Sequence, residues 1–392
     1  MLLIKNATLY APAPSGKNDI LIAGERIVAI QESIDPAGLP GPVDVIDAAG
    51  RATAPGFIDG HVHITGGGGE GGYRTRTPEL MLSDATKAGV TTVVGVLGTD
   101  GVARSLEALV AKVYALREEG LSAYCYTGAY RVPLPTITGD IIKDIMMIEP
   151  VIGAGEVALS DHRSTKPTDA ELARVAAEAR LGGMLSGKAG VVNVHLGDAP
   201  EGLSPLGRVC SRGDLPRAQF LPTHCNRNRE LLERAYAWAR EGGYIDFTSS
   251  TVQAFLDDGE TSAAACLARA RAEGLSAERV TVTSDGQGSL PRFDDKGVMV
   301  GLGVGSCYSL VDTLREAVAK HGLRLEEVLP AITATPAKVL KLGRKGTVAP
   351  GMDGDIVILD QDLRPHTVIA RGRVMLRAGE VEVAGTFEGE RR

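Results

Sequence analysis

Paired cysteines, a basic field and long apolar runs are all missing from this sequence. Its five cysteines (Cys125, Cys210, Cys225, Cys266 and Cys307) are scattered through 392 residues with no CxxC spacing. That pattern supports neither a disulfide framework nor a thiolate zinc site, and it reads as reduced core thiols. The formal net charge of −7 provides no cationic surface for a phosphate backbone, so a small solute rather than nucleic acid is the expected partner. No stretch approaches the roughly 20 apolar residues that a membrane helix needs. The short apolar start between Met1 and Tyr10 is broken by Lys5 and Asn6, so no membrane span is expected and the expected location is cytoplasmic.

What is present is an ordinary soluble composition, 44% hydrophobic and 23% charged, with 49 glycines. That many glycines suit a fold rich in tight strand-to-helix turns. The first fifty residues alternate short apolar runs (Leu2, Ile4, Ala7, Leu9; Ile20-Leu21-Ile22; Ile27-Val28-Ala29-Ile30) with turn residues such as Ala23-Gly24-Glu25, which predicts strands and requires no helix. The last fifty behave alike, through Ile356-Val357-Ile358-Leu359, Thr367-Val368-Ile369-Ala370 and Val374-Met375-Leu376. Between them, eight strand-like runs centred on Phe57, Val93, Ala123, Ala158, Val192, Leu221, Ile245 and Thr281 alternate with amphipathic stretches. Alternating units predict parallel strands, and a count of eight favours a closed barrel over an open sheet. The expected architecture is α/β: a (β/α)8 TIM barrel over residues 55–342, with a small β-sandwich domain assembled from 1–54 and 343–392.

The chemistry gathers where barrel strands end. In Asp59-Gly60-His61-Val62-His63, residues two apart share one face of a strand, so His61 and His63 converge. His195 closes the fifth predicted strand, His224 the sixth, and Asp285 the eighth. A lone histidine pair is compatible with core packing. Five ligand-type residues at four strand ends, four of them among the chain's only seven histidines, point instead to a metal centre at the catalytic end of a barrel.

The segment Pro55–His63, the order HxH-His-His-Asp and the split β-domain resemble the amidohydrolase superfamily across nearly the whole chain. Within it, Gly66–Glu70, Gly98-Thr99-Asp100, Thr127–Tyr130, Ser160–Ser164, Pro222–Asn228 and Ser284–Ser289 are similar to isoaspartyl (β-aspartyl) dipeptidases. The resemblance implies a metallohydrolase with two divalent ions, zinc by default, held by His61, His63, His195, His224 and Asp285. One departure stands out. The family's bridging ligand is usually a carboxylated lysine at the end of strand four, and this chain has Gly155-Glu156-Val157 there. Glu156 is the expected bridge, because it too presents an anionic carboxylate with two oxygens, and Gly153 and Gly155 beside it allow a closer backbone. Lys188, in a glycine-rich turn before strand five, is the rival at the wrong end of the barrel.

A water shared by two ions attacks an amide at neutral pH, with Asp285 expected to take the proton and pass it to the leaving amine. Tyr130 is expected to donate to the carbonyl oxygen. A β-aspartyl dipeptide carries one ammonium and two carboxylates. Glu70 fits the first, Arg163 and Arg227 the others, and Thr99 and Ser289 add hydroxyl donors. His162 is expected to hydrogen-bond behind a ligand rather than hold metal. The alternatives are another binuclear amidohydrolase (hydantoinase, dihydroorotase or N-acyl amino acid deacylase) or a non-catalytic scaffold, which loss of ligands would mark. A homo-oligomer is expected.

Overall fold

A computed structural model describes residues 1–293 and 299–389. The eight apolar runs become eight strands: Phe57–Val62, Val90–Gly95, Ser122–Thr127, Val151–Leu159, Val191–Leu196, Phe220–Thr223, Ile245–Thr248 and Val280–Thr283. The first six pair in chain order as one parallel sheet, and the last two pair parallel with each other. Two seams close the barrel. At one, Cys225 N donates to Asp246 O at 3.1 Å and Thr223 Oγ1 to Asp246 Oδ2 at 2.6 Å. At the other, His63 N donates to Gly286 O at 2.9 Å, and Ser284 N reaches Asp59 Oδ1 at 3.1 Å. Asp246 is a buried carboxylate that also accepts from Thr281 and Thr283, both at 2.6 Å, so its charge is met by three hydroxyls from the two strands beside it.

Helices cover the outside because their apolar residues recur on one face. In Leu106–Glu119 the buried positions are Leu106, Leu109, Val113 and Leu116; Ser105 caps the start, and Gly120 ends the helix at φ 118°. Helix Arg229–Arg240 buries Leu231, Leu232, Ala235, Tyr236, Trp238 and Ala239. It begins at Asn228, whose side chain accepts from Leu231 N at 2.9 Å, and this cap places Arg227 immediately before the helix.

The two chain ends meet in one nine-stranded sheet. Strands Leu2–Tyr10, Pro14–Ala23, Arg26–Gln31, Asp44–Asp47 and Ala52–Pro55 join Ile356–Leu359, Pro365–Ala370, Arg373–Arg377 and Glu380–Val381. Ala54 pairs antiparallel with Val357, so the ends are tied by backbone bonds, and Ile4, Ile20, Ile22, Ile27, Ile356, Ile358 and Ile369 share a core. An antiparallel hairpin, Ser289–Phe293 with Met299–Val304, follows the eighth barrel strand. The sequence pattern raised no expectation of it.

Candidate active site

The ligand-type residues sit at or just beyond the C-terminal ends of their strands. His61 and His195 lie inside theirs, His63 and His224 one residue past, and Asp285 two past. His224 and Asp285 adopt left-handed backbone, φ 61° and 53°, which is costly for residues with side chains and turns them into the barrel mouth. Glu156 arrives differently. Ala154 pairs with Val192 and Val157 with Val194, so Gly155 and Glu156 together oppose a single residue, Asn193. This bulge re-aims the side chain. A Cβ on Gly155 (φ 139°) would lie 2.6 Å from Asn193 O, and one on Gly153 2.5 Å from Val191 O. The close approach expected of these glycines is present.

All six candidate ligands converge. His61 Nε2 lies 3.4 Å from Glu156 Oε2 and 3.6 Å from Asp285 Oδ1. His63 Nε2 is 3.1 Å from Asp285 Oδ1, His195 Nδ1 2.9 Å from Glu156 Oε1, and His224 Nε2 3.4 Å from that same Oε1. Two sets have geometry suited to an ion: His61, His63 and Asp285; and His61, Glu156 and His224, with ligand atoms within 4.8 Å of one another. His195 belongs to neither set; its Nδ1 also meets the Tyr130 hydroxyl at 2.8 Å. Among the described residues, His61 Nε2, Glu156 Oε2 and Asp285 Oδ1 are buried without hydrogen-bond partners. Three orphaned atoms facing one gap are expensive unless a cation satisfies them, and imidazole with carboxylate is a donor set for zinc-like ions. The residues therefore fit a divalent metal.

Without an ion the cluster is a charged network. Burial disfavours a protonated His61, but Glu156, and then Asp285, outweigh it and push its pKa up to about 10. Burial of Glu156 is outweighed in turn by His61 and by bonds from His195 and His224, which hold its pKa well below the usual carboxylate range. Asp285 is held at about 2, its burial offset chiefly by the bond from His63 and the field of His224. Burial alone dominates at His224, pushed down to about 3, and at Tyr130, whose phenol is raised well above its ordinary value. Tyr130 therefore stays protonated and able to donate.

Beside this cluster lies a cavity of about 780 Å³ lined by His63, Glu70, Thr99, Tyr130, Arg163, His195, His224, Arg227, Asp285 and Ser289, among others. Glu70 accepts from Thr99 Oγ1 at 3.1 Å, Arg163 Nη1 at 3.0 Å and Ser289 Oγ at 3.2 Å. Arg163 also lies over the Tyr130 ring, 5.3 Å from its centroid. Arg227 is held more loosely, 3.8 Å from Asp198. Each predicted pocket residue is thus in one chamber.

The sequence reading missed the groups that aim the ligands. His61 Nδ1 is 3.1 Å from Asn193 Oδ1, and His224 Nδ1 is 2.6 Å from Thr248 Oγ1. Asn193 lies two residues before His195 on the same strand face, a spacing that the period of a strand makes readable; nothing local marks Thr248. His162 does not lie behind a ligand: its side chain is 87% exposed, and the neighbouring Asp161 approaches His195 Nε2 at 2.9 Å instead. Lys188 is at the far end, its Nζ donating to the carbonyl oxygens of Ile145, Ile148 and Val151 at 2.6, 2.8 and 3.0 Å.

Residues 226–381 match the Amidohydrolase family. The chain is 45% identical to a β-aspartyl dipeptidase from thermophilic keratin-degrading Fervidobacterium islandicum AW-1 in complex with β-Asp-Leu dipeptide, over 97% of each chain and with a TM-score of 0.91. A D-hydantoinase (dihydropyrimidinase) from Thermus sp. shares the fold, with 20% identity, 99% and 98% coverage and a TM-score of 0.69. A dihydroorotase of Staphylococcus aureus (strain Mu50 / ATCC 700699) is 39% identical over 107 residues, which are 27% of this chain and 24% of that protein. The chain thus spans about a quarter of the length of the dihydroorotases it matches.

Proposed function

The chain belongs to the β-aspartyl dipeptidase family of amidohydrolases, and from that premise we propose that it hydrolyses the β-aspartyl peptide bond of dipeptides with two divalent metal ions. The observation that carries this reading is the placing of Glu70, among three hydrogen-bond donors, in the same cavity as the ligand cluster. An anion for the substrate ammonium stands beside arginines for its carboxylates. His61, His63 and Asp285 would hold one ion, His195 and His224 the other, and Glu156 would bridge them. When bound, such ions acidify water and polarise the scissile carbonyl. Zinc is the proposed metal.

Asp285, ionised at neutral pH because its pKa is held at about 2, accepts the proton of the attacking water and then delivers it to the leaving amine. Tyr130 keeps its proton, as its burial requires, and donates to the carbonyl oxygen as charge develops. Its hydroxyl lies 2.8 Å from His195 Nδ1; with His195 holding an ion through that nitrogen, the phenol would be free for substrate. Glu70 takes the α-ammonium; Arg163 and Arg227 take carboxylates, with Thr99 and Ser289 as donors.

Among the described residues, no helix is long and apolar enough to cross a membrane, and the five unpaired cysteines suit a cytoplasmic setting. Helices Ile141–Met147 and Asp169–Ser186 pack together and expose Met147, Met184 and Leu185, a surface suited to a homo-oligomer.

The dihydroorotase match supports a second reading, hydrolysis of a cyclic amide; such a substrate has no ammonium for Glu70. Hydrolysis of β-Asp-Leu, α-Asp-Leu and dihydroorotate by wild type and Glu156→Ala, each with its metal content determined, separates the readings. Cleavage of the β-linked peptide alone is expected, with Glu156→Ala losing metal and at least about 100-fold in turnover. Metal-loaded protein that cleaves dihydroorotate and spares β-Asp-Leu would sink the proposal.

A further inference from the structure

Asp161, within the segment Ser160–Ser164, stands between the two halves of this site, and residue type alone assigns it to neither. Only 7% of the residue is exposed. Its carboxylate accepts from Arg163 twice, Nε to Oδ1 at 3.0 Å and Nη2 to Oδ2 at 2.8 Å, and Arg163 N donates to Oδ1 at 2.7 Å. Its Oδ2 also lies 2.9 Å from His195 Nε2, nearer than Arg163 Nη2, which is 3.1 Å from that nitrogen. That nitrogen faces away from the cluster, for it is His195 Nδ1 that lies 2.9 Å from Glu156. Gly197, one residue past the strand that carries His195, makes room for the contact: a Cβ there would fall 2.5 Å from the Cβ of Asp161. Beyond Arg163, Nη1 continues to Glu70 at 3.0 Å.

We propose that Asp161 is a positioning residue shared by the metal centre and the substrate clamp. One carboxylate fixes the His195 tautomer with the proton on Nε2, which leaves the Nδ1 lone pair for the ion, and holds the Arg163 guanidinium in the plane that presents Nη1 to the pocket. A carboxylate behind a ligating imidazole orients the ring and raises its basicity, and its loss costs about 10- to 100-fold in metal affinity. A bidentate partner removes the rotamer freedom of an arginine. The two effects share an oxygen, Oδ2, so one substitution disturbs both. His162, the adjacent residue, cannot substitute, because its side chain is in solvent.

This inference rests on the dipeptidase reading for its substrate half only. The test uses metal-loaded wild type, Asp161→Asn and Arg163→Gln, reading zinc release into a chromogenic chelator and kcat/KM on β-Asp-Leu, β-Ala-Leu (no α-carboxylate) and β-Asp-leucinamide (no terminal carboxylate). Asp161→Asn is expected to release zinc about 10- to 100-fold faster and to lose about tenfold or more of the wild-type preference for the doubly charged peptide. Arg163→Gln, which keeps the Asp161 carboxylate behind His195 but loses the 3.1 Å contact of Nη2 with that ring, is expected to lose the preference and to release zinc less than about tenfold faster than wild type. If Asp161→Asn changes only one of the two readouts, or neither, the shared role is overturned. If that variant does not fold, Asp161→Ser is read in the same way. If wild type does not cleave β-Asp-Leu, the functional proposal fails, and Asp161 is judged on zinc release alone.

Discussion

Glu260 lines the cavity with Oε1 buried and unpartnered among the described residues. Burial pushes its pKa up to about 7, only partly opposed by a bond to Thr251 and the field of Arg227, while Asp198 and Asp285 add to the rise. The folded protein therefore keeps the proton that an unfolded glutamate gives up near its ordinary value of about 4.3. As pH rises from there towards 7 the unfolded chain gains, and stability is lost across that window. Glu260→Gln, which has no charge to bury, is expected to unfold at higher temperature than wild type at pH 8, by the equivalent of about 1–3 kcal/mol, and at the same temperature near pH 4. Thermal melts at the two pH values decide it; equal melting at pH 8 would mean that the carboxylate ionises without cost. The residues legible by type and strand position alone were His61, His63, His195, His224 and Asp285, whereas Glu156 and the pocket residues rested on the family resemblance. Asp161 was passed over for His162 because adjacent residues in a loop share no fixed facing, whereas strand neighbours two apart do.

At the scale of elements, Lys188 shows how position overrides residue type. A lysine near strand four invites the role of bridging ligand, yet its ammonium joins the end of helix Ile141–Met147 to the start of strand Val151–Leu159 through three carbonyl oxygens. Burial lowers its pKa, in keeping with a structural clamp. Lys188→Met leaves those carbonyls short of a donor and is expected to cost about 1–3 kcal/mol, read as a lower urea midpoint, with bound metal and turnover unchanged. A drop in metal content would make Lys188 a ligand after all. Strand Val151–Leu159 also carries the bulge at Gly155, and its glycines were readable in advance as permission for close approach. The hairpin Ser289–Phe293 with Met299–Val304 was not: its run is short and has no turn signature of the two-residue hairpins.

For the whole molecule, the candidate ligands come from strands one, four, five, six and eight and the segments just beyond them, so bound ions would tie the rim of the barrel across its diameter. Chelation is expected to lower the melting temperature by several degrees and abolish turnover. Free zinc at about 100 times its dissociation constant should return about 2.7 kcal/mol, without added bicarbonate, because Glu156 supplies a carboxylate that needs no carbon dioxide. Recovery that required bicarbonate would overturn Glu156 as the bridge. The sequence by itself determined the alternation of eight strands and helices, the pairing of both chain ends as β-structure, and the convergence of His61 with His63, because each follows from a period within one element. Only the tertiary structure decided that Glu156 reaches His61, His195 and His224, that Asn193 and Thr248 aim two of those rings, and that Asp161 joins the ligands to Arg163. Most of those contacts join different strands or the segments just beyond them, whose relative rotation and stagger are set by closure of the barrel, and a pattern within one element carries no information about how two elements face each other.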